Sequence, residues 1–323
     1  MDRRALRQSQ RDRLTTYQHN YARGLPPVFG SVAGFRVIQV FAVGVALVAG
    51  AFAPLLDDGM LQIAACVFFL LGGLPHGAFD IHLAARRADL GLSSLGLFTA
   101  LYLGLFAVMI AGWYLVPALT LAVFLVTAIV HFSEDWCDVS EPLFRFALGF
   151  APLCAIGMGH LTEVEMIFAA MTSDATARAT INGFVLIAPI TLLIAGTALF
   201  ALGKDGKAPR ALAFAIMLAS LFVVPPLIGF ALFFCAFHTP RHLVAIGRDL
   251  ADWPISLILA IGASLTLLAL LLGALLLPYA FDGSFLSVAS AFQLLAALAM
   301  PHQSMDPCLK LLRRNTPANE SRD

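Results

Sequence analysis

The chain has 323 residues, of which 60% are hydrophobic and only 12% charged, with a mean hydropathy of +0.86 and a formal net charge of zero. This composition excludes an ordinary soluble domain, in which about a quarter of the residues are charged. It predicts an all-α, polytopic transmembrane helix bundle, with room for roughly eight to eleven spans of about 20 residues each. The five cysteines form no CxxC pair, so neither a disulfide framework nor a thiolate metal site is indicated.

Residues 1–35 form a polar tail with six arginines. The tail is too long and too rich in arginine for a secretory signal, and no small-residue cleavage site follows the first apolar run. We therefore expect a solvated cytoplasmic tail. Nucleic-acid binding is the weaker alternative, because interleaved aromatic or glycine-rich recognition patterns are missing. The predicted regions are the tail 1–35, a transmembrane bundle over 36–302 that carries the candidate site, and a cytoplasmic C-terminal tail over 303–323.

Hydropathy predicts ten spans, and residues 161–180 between them are too polar to cross a membrane and are expected to form a short interfacial helix. Prolines 142, 226 and 254 lie near span starts, where the missing N–H is harmless. The predicted spans are 36–56, 60–80, 95–116, 118–135, 142–160, 181–202, 210–224, 226–246, 254–278 and 284–302.

Basic residues give the predicted orientation. With both termini in the cytoplasm, alternation through ten spans leaves only Arg178, of 20 Lys and Arg, on the outer side. This distribution obeys the positive-inside rule, which supports the ten-span prediction. On this topology Arg241 is interpreted as an anchor at the inner interface.

His238 and His242 lie four residues apart in an apolar segment, on one face of a predicted helix. At this spacing two imidazoles can reach a single metal ion. At 1.5 Å per residue, five histidines on even-numbered spans fall in one layer of the cytoplasmic half of the membrane. They are His76, His131, His238, His242 and His302.

Four of the five, His76, His131, His238 and His242, are predicted to hold a metal, and the role of His302 is ambiguous. Histidines that only marked the interface would scatter over both leaflets, and intramembrane imidazoles are costly unless they have a function. Outside this group, His19 in the tail, His160 in an outer loop and His82 near the inner interface are interpreted as ordinary polar residues.

Several neutral imidazoles without a thiolate suit Fe, Zn, Cu or Ni rather than Ca or Mg. Asp80 follows His76 by four residues, and Glu134 and Asp135 follow His131 by three and four. Such carboxylates can orient a ligand histidine through its other N–H. Asp80 and Glu134 are therefore candidates for side chains that hold the ligand histidines in place from behind, together with His302, and Asp135 is a weaker candidate. The alternative is that they are loop charges at the water interface.

Glycine and proline surround His76, which indicates close helix approach or a local break in the second span. Many phenylalanines accompany the histidine segments and favour a lipid-soluble substrate, although each could simply pack or face lipid. The phenylalanines are Phe68, Phe69, Phe79, Phe132, Phe233, Phe234 and Phe237.

Four stretches together resemble the Brp/Blh family of membrane β-carotene 15,15'-dioxygenases, in the same order and at similar spacing. They are Gly73-Leu-Pro-His76-Gly-Ala-Phe-Asp80, His131-Phe-Ser-Glu-Asp135, Phe237-His238-Thr-Pro-Arg-His242 and Met300-Pro-His302. Two positions differ modestly from the family pattern: Ser133 stands where glycine is common and Thr239 where serine is usual. The polar Gln303-Ser304 after His302 replaces a more apolar continuation, which leaves the role of His302 open.

The resemblance implies an enzyme of the bacterial inner membrane that uses Fe(2+) and O2 to cleave β-carotene at its central 15,15' double bond, giving two molecules of retinal. It implies iron ligands at His76, His131, His238 and His242, and an opsin as a candidate recipient of the retinal. Two alternatives stay open at this point. One is a non-catalytic carotenoid- or retinal-binding membrane protein, and the other is a metal or proton transporter that uses the same histidines.

Overall fold

The computed structural model describes residues 70, 74–88, 90–250, 253–276 and 288–305. All regular structure within these ranges is helical, without a strand, so the predicted all-α class is confirmed. The basic tail, the span 36–56, nearly all of 60–73 and the chain beyond residue 305 lie outside the described residues. The three predicted regions and the orientation of the termini therefore stay predictions.

A short 3-10 helix, Leu74–Phe79, opens the described part, and a π-helix, Phe233–His238, joins two of the later helices. The α-helices are α1 Asp80–Ala88, α2 Leu92–Leu115, α3 Pro117–Glu134, α4 Pro142–Gly159, α5 Leu161–Met171, α6 Asp174–Leu202, α7 Ala208–Leu221, α8 Pro226–Leu232, α9 Thr239–Asp249, α10 Ile255–Leu276 and α11 Val288–Gln303.

Each of the eight predicted spans from 95–116 onward overlaps helix, most of them with similar bounds, and the count of ten spans stays a prediction. Prolines begin two of these helices as expected, at Pro142 and Pro226. The polar segment 161–180 contains the short helix α5, but its second half already belongs to α6. Helix α6 begins at Asp174, well before the predicted start at 181, because the Ser173 hydroxyl caps it by accepting a hydrogen bond from the Thr176 amide at 3.3 Å.

Among the described residues, four helical stretches are long and apolar enough to cross a membrane: Leu92–Leu115, Pro117–Glu134, Pro142–Gly159 and Asp174–Leu221. The last stretch is broken at Gly206, whose φ of 78° is a left-handed conformation that favours glycine. Much of α2 is apolar yet exposed, with Leu103 and Val108 both more than half exposed. An exposed apolar helix is compatible with contact to lipid.

The last turn of α3 meets the π-helix, where Phe132 packs on Phe233 and His131 lies beside His238, and α3 also packs against α11 and closely on α4. Gly149 permits this packing: a Cβ at this position would lie 2.5 Å from the backbone nitrogen of Ser133. Buried aromatic rings fill the space around the junction, with Phe132, Phe233 and Phe237 each at most 4% exposed. The last turn of α3 is thereby held against the π-helix, and the site lies at this junction.

Candidate metal centre

His131, His238 and His242 form one cluster, in which one ligand nitrogen from each ring lies within 4.8 Å of the others. His131 comes from the last turn of α3, His238 from the end of the π-helix and His242 from the first turns of α9. The Nε2 atoms of His131 and His238 are 3.1 Å apart. His238 is fully buried and His242 is a quarter exposed. The structure therefore brings together three of the four histidines that the sequence singles out.

His238 and His242 do not lie together in one regular α-helix, although their spacing predicts this, because His238 belongs to the π-helix. It ends at His238, while His242 lies in the regular helix α9 that follows. The two ring centroids are 4.5 Å apart, which keeps both imidazoles on the cluster. Short π-helical segments occur frequently at functional sites, because the wider turn shifts the register of the side chains that follow.

Carboxylates hold the outer nitrogens of the two closest histidines. The Nδ1 of His238 lies 2.9 Å from Oδ2 of Asp135, and the Nδ1 of His131 lies 3.1 Å from Oε2 of Glu134. Asp135 is nearly fully buried, whereas the Glu134 side chain is about half exposed. Asp135, the weaker candidate from the sequence, thus makes the more enclosed contact, and Glu134 makes the contact that helical spacing indicates.

These contacts decide whether the cluster suits a metal. An ionised carboxylate can only accept, so each Nδ1 carries the donated proton and each Nε2 presents a lone pair. The two Nε2 atoms lie 3.1 Å apart, a spacing that needs a positive charge between them, either a shared metal ion or a proton carried by one of the imidazoles. Two nitrogens bound to one metal at about 2.1 Å lie roughly 3 to 3.4 Å apart, so the spacing fits a shared metal ion. The residues present therefore fit a metal held by imidazole nitrogens.

Two arginines fix the turn that carries Asp135. Arg241 and Arg210 both donate to the backbone carbonyl of Asp135, at 2.8 and 3.0 Å. The final carbonyls of a helix lack partners within it, and cations there also suit the helix dipole. Both guanidinium groups also stack on the ring of Trp136, at 5.3 and 4.3 Å from its centroid. Arg241 thus holds the site-bearing turn, a role beyond the membrane anchor expected from the sequence.

Asp138, in the same turn, accepts hydrogen bonds from Lys207 at 2.8 Å and Arg210 at 2.7 Å. Burial acts to raise the pKa of Asp138, but these two donors outweigh it and lower the pKa below the usual 3.8. Because the pKa is lower in the folded state, the contacts stabilise the protein at pH values above the unfolded-state pKa. This stabilisation is lost as the pH falls through the folded-state pKa.

Asp138→Asn is therefore expected to lower the free energy of unfolding by up to about 1 kcal/mol at pH 7, since the pair is partly exposed. The difference from wild type should shrink as the pH falls below the unfolded-state pKa of 3.8 and disappear once the pH is below the lowered folded-state pKa. Thermal unfolding of the detergent-solubilised protein between pH 7 and pH 3 measures this, with Asp205→Asn in the neighbouring exposed turn as the control. A constant difference across that range would contradict the assignment.

Asp80 and His302 form a second carboxylate–histidine pair beside the cluster. The Nδ1 of His302 lies 2.9 and 2.8 Å from the two carboxylate oxygens of Asp80, and the Tyr102 hydroxyl donates to Asp80 at 2.8 Å. Asp80 is 1% exposed. This contact joins the start of α1 to α2 and α11, and sequence spacing could not indicate it, because Asp80 was expected behind His76.

The backbone of His76 lies in the 3-10 helix Leu74–Phe79. This short helix is the local break that the glycine and proline residues around His76 predict. The side chain of His76 lies outside the described residues. His82 packs edge-on against Trp253, with ring centroids 5.4 Å apart, and the Nδ1 of His160 lies 4.0 Å from Glu163. Neither residue belongs to the three-histidine cluster. His19 lies outside the described residues.

An apolar slot opens beside the histidines. Apart from His131, His302 and Gln303, its lining is hydrocarbon, and it adjoins a second apolar cavity with which it shares wall residues. Phe132 and Phe234, which the sequence singles out, line the slot, whereas Phe79, Phe233 and Phe237 pack in the core. The shared wall residues are Phe124, Ala128, Phe132 and Phe230.

The helices that are long and apolar enough to span a membrane, together with a carboxylate-backed histidine cluster beside an apolar slot, define a membrane-type helical protein with a candidate metal centre. Residues 66–306 match the family described as beta-carotene 15,15'-dioxygenase, and the chain belongs to this family. The resemblance inferred from the four sequence stretches is thereby confirmed.

One curated relative, the "Beta-carotene 15,15'-dioxygenase" of uncultured marine bacterium 66A03, is 26% identical over 210 residues. The matched region covers 59% of this chain and 72% of the relative. No solved structure matches the chain.

Proposed function

We propose that this protein is a β-carotene 15,15'-dioxygenase of the bacterial inner membrane, with Fe(2+) held by His76, His131, His238 and His242. The observation that supports this most strongly is the three-histidine cluster at the wall of an apolar slot. Family membership and the name of the curated relative support carotenoid cleavage as the reaction class. The identity of the metal, the position of cleavage and the products are part of the proposal.

The reaction balances without any other reactant. One molecule of O2 replaces the central carbon–carbon double bond of the C40 substrate with two carbonyl groups, and each C20 aldehyde receives one oxygen atom. No proton has to be gained or lost overall, so no dedicated acid or base is required. When bound, the metal supplies the redox chemistry that activates O2.

The chain's own residues orient the reactants. Asp135 and Glu134 accept from the Nδ1 atoms and so keep the Nε2 lone pairs of His238 and His131 turned into the cluster. The phenyl rings that line the slot offer the polyene apolar contact and exclude water. One double bond held against the histidine cluster defines the position of cleavage.

Expression in a carotene-accumulating bacterial host tests the proposal. We expect β-carotene to fall and retinal to rise in a ratio of one to two, measured by liquid chromatography of membrane extracts. His160→Ala, which alters a histidine outside the cluster, should behave as wild type. Aldehydes longer than 20 carbons would contradict central cleavage.

The same experiment separates the alternatives. Carotene that stays intact and co-purifies with the protein would indicate a carotenoid-binding protein rather than an enzyme. Metal accumulation by the host without consumption of O2 or carotene would indicate a transporter. An opsin partner is tested by comparing retinal release from membranes with and without co-expressed opsin, which should accelerate release if the retinal is handed over directly.

A further inference from the structure

We propose that His302 is an additional metal-binding arm of this centre, held in place by Asp80 and Tyr102. The inference rests on the proposed metal centre and adds to its ligand set a residue from a different helix, α11. It also gives Asp80 a specific task, which is to orient His302.

The ring of His302 packs against two members of the cluster, His131 and His242, and lies outside the group of three whose ligand atoms are all within 4.8 Å of one another. Its centroid is 5.1 Å from that of His131, the same separation as between His131 and His242, and 5.8 Å from that of His242. Imidazoles that bind one metal through nitrogens at about 2.1 Å place their centres roughly 3.2 Å from it, so two such rings lie about 4.5 to 5.8 Å apart at ligand angles of roughly 90 to 130°. The observed distances fall within that range.

The hydrogen bonds of His302 repeat the pattern seen at His238. Both oxygens of the buried Asp80 carboxylate face Nδ1, so this nitrogen carries the proton and Nε2 is left with a lone pair for a metal. Tyr102 donates to the same carboxylate, which fixes its orientation from a third helix. A carboxylate behind the distal nitrogen is the usual support of a metal-binding histidine.

His302 lies at the apolar slot in which the substrate is proposed to bind. It lines the apolar slot together with His131. Gly77 lies beside the pair, at ordinary van der Waals distance: a Cβ there would lie 3.7 Å from Nδ1 of His302 and 3.8 Å from Asp80. Enclosing an aspartate at 1% exposure is costly, and the cost is offset if the imidazole it orients binds a cation.

Titration of the purified, metal-free protein with Co2+ tests the proposal, with the visible absorption of the bound ion as the readout. We expect His302→Ala to weaken Co2+ binding at least about tenfold and to alter the absorption spectrum. Added imidazole should restore the wild-type spectrum, which a merely structural residue would not allow. His82→Ala removes a histidine that packs on Trp253 instead, and it should bind Co2+ as wild type does.

His302→Ala leaves the Asp80 carboxylate buried without its histidine. If this variant does not reach the membrane, the double variant Asp80→Asn with His302→Ala takes its place. Wild-type affinity and spectrum in either variant would overturn the proposal for His302 alone. Failure of the wild-type protein to take up Co2+ would overturn the metal centre itself, and His302 with it.

Discussion

His238→Ala is expected to reduce retinal formation to below about one-hundredth of wild type, and to lower the iron content of the purified protein in parallel. Even the loss of a carboxylate behind a ligand histidine typically costs 10- to 100-fold in metal affinity or activity, so the loss of the imidazole itself should cost at least as much. His238 is fully buried, and its Nε2 lies 3.1 Å from that of His131. His131→Ala should therefore have an effect of the same size.

Substitutions of the two carboxylates should lower activity by smaller factors, and the more buried carboxylate should show the larger loss. Asp135→Asn keeps the shape of the side chain but removes the ionised acceptor from a buried contact, and a tenfold to hundredfold loss is expected. Glu134→Gln alters a half-exposed contact and should cost less. Retinal by chromatography, iron by elemental analysis and membrane level by immunoblot separate activity from folding. Full activity in His238→Ala membranes would contradict the assignment.

Much of the helical architecture could be predicted from hydropathy and proline positions, because each depends on a few neighbouring residues. Helix α6 was placed too late because the polar Thr176–Thr180 run reads as a loop, while the capping hydroxyl of Ser173 makes it a helix start. The π-helix Phe233–His238 carries no sequence signal, since its apolar residues suit an α-helix equally well. Only packing against neighbouring helices selects the wider turn.

The sequence allows the histidines to be grouped by their depth in the membrane, because the rise per helical residue converts residue number into distance along the membrane normal. Their carboxylate partners could not be predicted in the same way. Asp135 lies just past the end of α3, where its carboxylate reaches His238, 103 residues further along the chain. Asp80 meets His302, 222 residues away. Such pairs depend on how helices cross, which local spacing does not specify.

Gly149→Ala is the second substitution expected to have a large effect, although glycine has no side chain that could bind a metal. Its Cβ would lie 2.5 and 2.8 Å from the backbone nitrogen and Cα of Ser133, two residues after His131. Backbone cannot rotate away as a side chain can, so the last turn of α3 must shift. Overpacking of this kind costs about 1 to 3 kcal/mol in stability. Moving His131 and Glu134 with that turn should also lower activity at least about tenfold.

Substitutions at two other glycines separate the loss of stability from the effect of moving His131. Gly159→Ala creates a similar clash, 2.6 Å from the carbonyl oxygen of Phe222, but at the C-terminal end of α4, roughly 15 Å from Gly149. Gly196→Ala adds a methyl group where no atom lies within 4 Å, and should be neutral or stabilising. Melting temperature and retinal formation per folded protein should fall together in Gly149→Ala, whereas Gly159→Ala should lower mainly the melting temperature. Equal losses of activity in both variants would mean that helix packing alone, and not the position of His131, limits the reaction.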